Sequence, residues 1–283
     1  MPTLAERVDA LAATPAGMEL PPEAHDVVRE LLDALELGAV RAAERDAADR
    51  WRAVPWVKRG ILLGFRAGRM ADMSVPAGGT PRFSFVDKDT YPARTFAVAD
   101  GVRLVPGGST IRRGTYVAPG VVCMPPMFVN VGAWVGSGTM IDSHALVGSC
   151  AQIGERVHLS AAAQIGGVLE PVNASPVVIE DDVLVGGNCG VYEGTVVRSR
   201  AVLAAGVVLT RGTPVFDLVK ERVYRAAGDE PLEIPAGAVV VPGARSVAAG
   251  WGLDQGLSLQ APVIVKYRDE KTDVATALEA WLR

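Results

Sequence analysis

Residues 111–165 read IRRGTYVAPGVVCMPPMFVNVGAWVGSGTMIDSHALVGSCAQIGERVHLSAAAQI. From the first residue of this stretch to the last, every sixth residue is small and apolar. The same period resumes at Ile179, continues to Val215 and returns at the pair Ile234 and Val240. Neither an α-helix, which repeats about every 3.6 residues, nor an amphipathic strand, which repeats about every two, produces this period.

A six-residue period is typical of a solenoid with flat sides. Three such sides close a triangular coil of about 18 residues, and successive coils stack at the usual strand spacing of about 4.8 Å. The fourth residue after a repeat position is also small or apolar in most repeats, as at Thr115, Ala133 and Val157. Glycines that follow repeat positions, such as Gly148 and Gly154, favour corners where a side chain would crowd the turn. The sequence therefore predicts a mainly β protein built on a parallel β-helix.

The composition agrees with a thin solenoid and points to small-molecule partners. Aromatic residues make up 6% of the 283 residues and hydrophobic residues 49%, so the core consists of Val, Ile, Leu and Ala. The formal net charge of -4 favours neither nucleic acid nor an anionic membrane as partner. No stretch resembles a signal peptide or a membrane span, and three cysteines without a Cys-x-x-Cys pair fit a reducing compartment. We expect a cytoplasmic protein.

The period divides the chain into three parts. Residues 1–104 are expected to form a mainly helical N-terminal domain, and residues 105–247 the β-helix. Residues 248–283 are expected to form a small C-terminal module, a strand followed by a short helix that begins near Asp269 or Thr272.

Two features refine this division. The N-terminal part carries an apolar stripe over residues 27–37, and a second candidate helix, WVKRGILLGFRAGRM (56–70), follows Pro55. The repeat is interrupted near residues 166–178 and 216–233, where loops can leave the solenoid. Loops on a rigid scaffold are frequent places for functional sites.

Several strings in the chain are longer and more specific than the repeat. Those within the solenoid are GSCAQIG (148–154), VHLS (157–160), IGGVLEP (165–171) and VIEDDVLVG (178–186). Those outside its core are VKRGILLGFR (57–66), VRLVP (102–106) and VIVK (263–266). Together they resemble the tetrahydrodipicolinate N-succinyltransferase family of the hexapeptide-repeat transferases. The resemblance implies a left-handed β-helix, an exception to the usual right-handed crossover.

The resemblance also implies an activity. Members transfer succinyl from succinyl-CoA to tetrahydrodipicolinate, giving N-succinyl-2-amino-6-oxopimelate and CoA in the diaminopimelate route to lysine. It implies a homotrimer with active sites in clefts between neighbouring solenoids, without a metal or a permanently bound cofactor. Acyl transfer from a thioester needs a positioned amine, a proton acceptor and donors that face the developing oxyanion. A covalent serine or cysteine is not required.

Two residues match the family's substrate-binding positions. Asp142, in the string MID, matches an aspartate that contacts the substrate amine and serves as base. Its alternative role is a corner aspartate that hydrogen-bonds the backbone. Arg103, in VRLVP, matches an arginine that binds a substrate carboxylate, which a guanidinium holds with two parallel hydrogen bonds. Its alternative is an ordinary surface arginine.

Two further side chains are candidates for supporting roles. Glu193, in VYEG, matches a family glutamate and is either a helper or a structural carboxylate. Some members carry another glutamate three residues earlier, where this chain has Gly190, and this departure weakens a mechanism with two carboxylates. His158, in VHLS, could relay a proton because histidine titrates near neutral pH. A structural histidine at a corner is an equally good interpretation.

The CoA contacts are less well defined by the sequence. Gly166 and Gly167, in IGGVLEP, can let the backbone approach the pantetheine arm, although a plain turn would also need them. Lys266 is one of several downstream basic residues that could meet the CoA phosphates, and such a residue is more often a solvated charge. The cysteines are not candidate nucleophiles. Cys123 and Cys189 fall in the inward register of the repeat and Cys150 lies outside it.

Three alternative functions are open at this stage. An acetyl-CoA-dependent acyltransferase of the same superfamily differs only in the pocket for the succinyl carboxylate. A zinc hydratase on the same solenoid holds its metal with three solenoid histidines from adjacent chains, but only His144 and His158 lie in the repeat and His25 lies in the helical part. A non-catalytic scaffold would not require the strings GSCAQIG and IGGVLEP.

Overall fold

The computed structural model describes residues 2–74 and 84–269. The C-terminal helix predicted to begin near Asp269 or Thr272 falls outside the described residues. Within them, no helix is both long enough and apolar enough to cross a lipid bilayer.

The repeat forms a left-handed parallel β-helix with three sheets, which we call faces A, B and C in the order in which the chain visits them. Face A contains Arg103–Leu104, Val122–Cys123, Met140–Ile141, His158–Leu159, Leu184–Val185, Val202–Leu203 and Ala238–Val241. Face B contains Thr110–Ile111, Phe128–Val129, Leu146–Val147, Gln164–Ile165, Gly190–Val191 and Val208–Leu209. Face C contains Tyr116–Val117, Trp134–Val135, Gln152–Ile153, Val178–Ile179, Val196–Val197 and Glu233–Ile234. The fold class predicted from the six-residue period is confirmed.

The core of the solenoid consists of the repeat residues themselves. Val147 and Ile153 are fully buried, as are most residues at equivalent positions. Most residues four positions later are also buried, and three of the buried ones are threonines. The buried hydroxyls donate to backbone carbonyls, from Thr115 to Asn130 at 3.1 Å and from Thr139 to Gly154 at 2.9 Å. Buried polar groups are stable where they are hydrogen bonded in this way.

Glycines at the corners allow successive coils to approach each other. A Cβ atom on Gly148 would lie 2.2 Å from the backbone nitrogen of Gly167 in the next coil. One on Gly154 would lie 2.7 Å from the backbone nitrogen of Asp181. The backbone of these corners leaves no room for a side chain, which agrees with the reason inferred from the sequence.

The N-terminal part contains three helices, α1 (Leu4–Ala12), α2 (Glu23–Glu36) and α3 (Pro55–Ala67). Helix α3 is the one predicted from residues 56–70. Val28, Leu31 and Ile61 form part of a core that the helices share with Val131 and Cys150 of the solenoid. The helices therefore pack on the corner between faces B and C, which we call the B–C corner.

Short hairpins that the sequence did not predict complete this part. Strands Ala43–Arg45 and Trp51–Ala53 form an antiparallel pair that lies over face C, where Trp51 packs with Val178 and Val196. A second antiparallel pair joins Met70–Asp72 to Val86–Lys88, and a short 3-10 helix follows at Val98–Asp100.

The predicted C-terminal strand is present and extends face A. Val263–Tyr267 pairs antiparallel with Ala238–Val241 and parallel with Val215–Asp217. The interruption at 216–233 contains an antiparallel partner, Arg222–Tyr224. A last hairpin, Ala244–Ser246 with Ser258–Gln260, flanks the short helix α4 (Gly250–Asp254).

Candidate active site

Three of the predicted site residues occupy one outward row of face A. The strand register places Arg103, His158 and Lys266 in this row, together with Met140 and Val239. His158 lies three strand spacings from Arg103 and four from Lys266, at about 4.8 Å each. The row therefore offers a basic residue towards each end of an extended surface.

Asp142 lies at the corner between faces A and B, which we call the A–B corner, directly after Met140–Ile141. Its side chain is half-buried, and Oδ1 accepts a hydrogen bond from the backbone nitrogen of Ser143 at 2.7 Å. Its own backbone nitrogen donates to Leu159 of the next coil at 2.9 Å. His144 completes this corner in the left-handed conformation with φ of 62°, which agrees with a role in local structure. Hydrogen bonds from its own backbone and to its carboxyl group thus fix Asp142 at this corner, two residues after Met140 of the row.

Arg103 differs from the arginines near it. Arg94, Arg112 and Arg113 form ion pairs with carboxylates of the N-terminal part. In the described part of the chain, the exposed guanidinium of Arg103 has no such partner. A free, exposed guanidinium is suited to binding a carboxylate from solution.

A groove of about 1020 Å³ follows the B–C corner beyond the helices. The loop 166–177 forms one wall, and later corners of the same edge form the other. The predicted residues in its lining are Gly166, Gly167 and Glu193. Glu193 is exposed, with φ of 53°, and its Oε2 accepts a hydrogen bond from the backbone nitrogen of Arg211 at 3.0 Å. This hydrogen bond links Glu193 to the backbone of the next corner.

The two glycines of this groove make close contacts that exclude a side chain. A Cβ atom on Gly167 would lie 2.6 Å from the backbone nitrogen of Ser149. One on Gly166 would lie 2.7 Å from Cδ1 of Tyr192. The ring of Tyr192 also forms part of the groove, and this residue was not among the predicted site residues although it stands in the string VYEG.

Lys58 is a second residue near the groove that was not among the predicted site residues. Its side chain, from helix α3, is buried, and Nζ donates a hydrogen bond to the carbonyl oxygen of Ala174 in the loop 166–177. Burial lowers the pKa of this ammonium group. Lys58 thus attaches one wall of the groove to the helical part. The available signal was its position in the string VKRGILLGFR.

The cysteines are unsuited to nucleophilic catalysis. Burial raises the pKa of the Cys123 and Cys150 thiols to about 12, and it also raises the pKa of Cys189. A thiol of high pKa is protonated at neutral pH and is a poor nucleophile. Cys150, outside the repeat register, packs with Val131 against the helices. Within residues 2–74 and 84–269, no three His, Cys, Asp or Glu side chains group closely enough to hold a metal ion.

The predicted residues thus form two groups on different edges of the prism. Asp142, Arg103 and His158 lie on face A or at the A–B corner, whereas the groove with Glu193 follows the B–C corner. Face B separates the two groups within one chain.

Two family models match the chain. The model for the tetrahydrodipicolinate N-succinyltransferase N-terminal region matches residues 4–67, and the model for the hexapeptide repeat of succinyl-transferase matches residues 176–211. Among solved structures, the fold is similar to that of a Campylobacter jejuni protein assigned as a 2,3,4,5-tetrahydropyridine-2-carboxylate N-succinyltransferase, with a TM-score of 0.50 and 16% identity. The match covers 89% of this chain and 64% of that one, and it concerns the fold alone.

Curated relatives from three bacteria match over nearly the whole length of the chain, and each is named 2,3,4,5-tetrahydropyridine-2,6-dicarboxylate N-succinyltransferase. The relative from Polynucleobacter asymbioticus is 40% identical over 268 residues, covering 93% of this chain and 91% of its own. The relative from Nitrobacter hamburgensis is 42% identical, covering 92% and 90%. The relative from Afipia carboxidovorans is 40% identical, covering 97% and 94%. This chain therefore belongs to the tetrahydrodipicolinate N-succinyltransferase family, as its longer sequence strings predicted.

Proposed function

We propose that the protein transfers the succinyl group of succinyl-CoA to tetrahydrodipicolinate in the diaminopimelate route to lysine. The observation that carries this proposal is the identity of about 40% with relatives of that name over more than nine-tenths of the chain. Water adds to the cyclic imine, and the ring opens to a primary amine. The products are N-succinyl-2-amino-6-oxopimelate and CoA.

Asp142 acts as the general base in this proposal. The substrate amine attacks the thioester carbonyl carbon, the new C–N bond forms, and the carbonyl electron pair moves to oxygen. The Asp142 carboxylate takes the proton that the nitrogen loses. The electron pair then returns as the C–S bond breaks, and CoA leaves as a thiolate that takes up a proton. The hydrogen bonds that fix Asp142 at its corner support this role because a base must be held in position.

The other site residues divide between the two substrates. Arg103 binds a carboxylate of the imino acid, and its free guanidinium supports this assignment. His158, in the same row as Arg103, is a supporting residue that can relay protons. Gly166 and Gly167 let the pantetheine arm approach the backbone, and Lys266 meets the CoA phosphates.

The separation of the two residue groups supports a homotrimer with shared active sites. The Asp142 group lies on one edge of the prism and the groove on another, so a neighbouring chain would have to supply the second group. We place this assembly in the cytoplasm, since three free thiols fit a reducing compartment.

A direct test compares acyl donors with the purified protein. Release of free CoA thiol is followed with tetrahydrodipicolinate and either succinyl-CoA or acetyl-CoA, and the product is identified by its mass. We expect a clear preference in kcat/KM for succinyl-CoA. Preference for acetyl-CoA would show an acetyltransferase, and no thiol release with either donor would favour a scaffold.

A further inference from the structure

Face B carries one gap in its outward row of side chains. The gap is Gly190. The strand register aligns it with the other members of the row, which are Thr110, Phe128, Leu146, Gln164 and Val208. Gly190 is buried, and its φ is not in the left-handed region that favours glycine. The backbone conformation at this position therefore does not require a glycine.

The ring of Tyr192 explains the gap. A Cβ atom on Gly190 would lie 2.5 Å from Cε2 of this ring and 3.0 Å from both Cζ and Oη. On its other side the ring meets Gly166, where a Cβ atom would lie 2.7 Å from Cδ1. Tyr192 thus lies in a slot between two residues that lack side chains. The ring edge thus takes the space that a side chain at position 190 would enter, and the hydroxyl lies 3.0 Å from where its Cβ atom would be.

This hydroxyl is available to a ligand. In the part of the chain that the structure describes, the Tyr192 hydroxyl forms no hydrogen bond, and the residue is only half-buried. The ring belongs to the lining of the same groove as Gly167 and Glu193. A close fit of the ring beside an unused polar group is typical of a residue that positions that group for binding.

We propose that Tyr192 is a catalytic residue whose phenol donates a hydrogen bond to the thioester carbonyl oxygen of the acyl donor. The proposal rests on the proposed function and on the pantetheine arm lying along Gly166 and Gly167, which brings the thioester to this groove. As the amine adds to the carbonyl carbon, the C=O electron pair moves to oxygen, and the phenol stabilises that negative charge. No proton is transferred, and the electron pair returns when the C–S bond breaks.

The role of a donor follows from the chemistry of the side chain. A phenol is both donor and acceptor and is uncharged at neutral pH, so it can stabilise an oxyanion that a carboxylate would repel. The hydroxyl that Tyr192 places beside Gly190 is therefore suited to the carbonyl oxygen. Deprotonation of the amine is left to Asp142.

The test is Tyr192→Phe, which keeps the ring between the two glycines and removes only the hydroxyl. Loss of one oxyanion donor should lower kcat with succinyl-CoA by about 100-fold. The melting temperature and the KM for succinyl-CoA should change little. Tyr116→Phe is the matched control because Tyr116 stacks on Trp134 of face C, away from the groove, and it should leave kcat unchanged.

A second variant tests the slot itself. Gly190→Ala should displace the ring and lower kcat, whereas adding it to Tyr192→Phe should cause little further loss, since both changes remove the same hydrogen bond. A Tyr192→Phe enzyme with at least half the wild-type kcat overturns this inference while the proposed function stands. A wild-type protein that releases no CoA from succinyl-CoA overturns both.

Discussion

Asp142 is the residue on which the proposed chemistry depends most directly. Asp142→Asn keeps an oxygen that can accept the hydrogen bond from Ser143, so the corner should fold unchanged. Loss of the base should lower kcat by about 100-fold or more. Steady-state kinetics at pH 7 check this, with Asp26→Asn on helix α2 as a control that keeps full activity. Undiminished turnover would exclude Asp142 as the base.

Arg103 should affect binding more than chemistry. Arg103→Ala removes the guanidinium without breaking an ion pair, because none ties it to the described residues. We expect a higher KM for tetrahydrodipicolinate and a smaller change in kcat. Arg156→Ala, which breaks an exposed pair with Asp182, is the control and should leave this KM unchanged. An unaltered KM in the Arg103 variant would remove its assigned role.

Glu180 makes the stability of the fold depend on pH. Burial by itself would raise its pKa, but hydrogen bonds from Trp51 and Ser199 and the charge of Arg198 outweigh burial, and the pKa lies below its ordinary 4.5. The folded state therefore binds this proton less readily than the unfolded state. The stabilisation is complete above about pH 4.5 and is lost as the pH falls through the lower folded value.

Thermal unfolding of the wild type and Glu180→Gln at several pH values measures this contribution. The wild type should be the more stable of the two at pH 6, and the difference should shrink as the pH is lowered from 4.5. A constant difference across that range would show that the charge of Glu180 does not stabilise the fold.

At the scale of the coil, the corner glycines allow successive coils to stack closely. Gly148→Ala places a Cβ atom 2.2 Å from the backbone nitrogen of Gly167 in the next coil. The atoms that it meets belong to the backbone, so they cannot move aside as the end of a flexible side chain could. We expect a loss of stability of about 3 kcal/mol or failure to fold. Gly212→Ala, just after the last strand of face B, is the control because the nearest atom to its added Cβ lies 3.9 Å away. Equal melting temperatures for the two variants would contradict the packing argument.

At the scale of the whole molecule, the two residue groups predict sharing of active sites between chains. Asp142→Asn impairs the Asp142 group and Tyr192→Phe impairs the groove. If each site takes one group from each of two neighbouring chains, random assembly of an equal mixture leaves about a quarter of the sites with both groups intact. Denaturing the two variants together and refolding them should therefore restore activity that neither shows alone. Refolding each variant separately is the control, and no recovery in an assembled mixture would place both groups in one chain.

The sequence by itself determined the β-helix and the family. Its six-residue period is a local property, since each repeat places one small residue on the axis, and the long strings around residues 148–186 add the family. The position of Asp142 near a corner followed from the same register, whereas the strand at Arg103 did not, because residues 1–104 were expected to be mainly helical.

Only the tertiary structure decided the contacts between distant segments. Tyr192 fits against Gly166, which lies a coil away, and Lys58 reaches Ala174 from a separate helical part. The hairpin that contains Trp51 lies over face C, and the Trp51 indole nitrogen donates a hydrogen bond to Glu180, 129 residues further along the chain. Such contacts depend on how the surfaces of distant segments pack against each other, so no period or short string in the sequence predicts them. The division of the site residues between two edges became visible for the same reason.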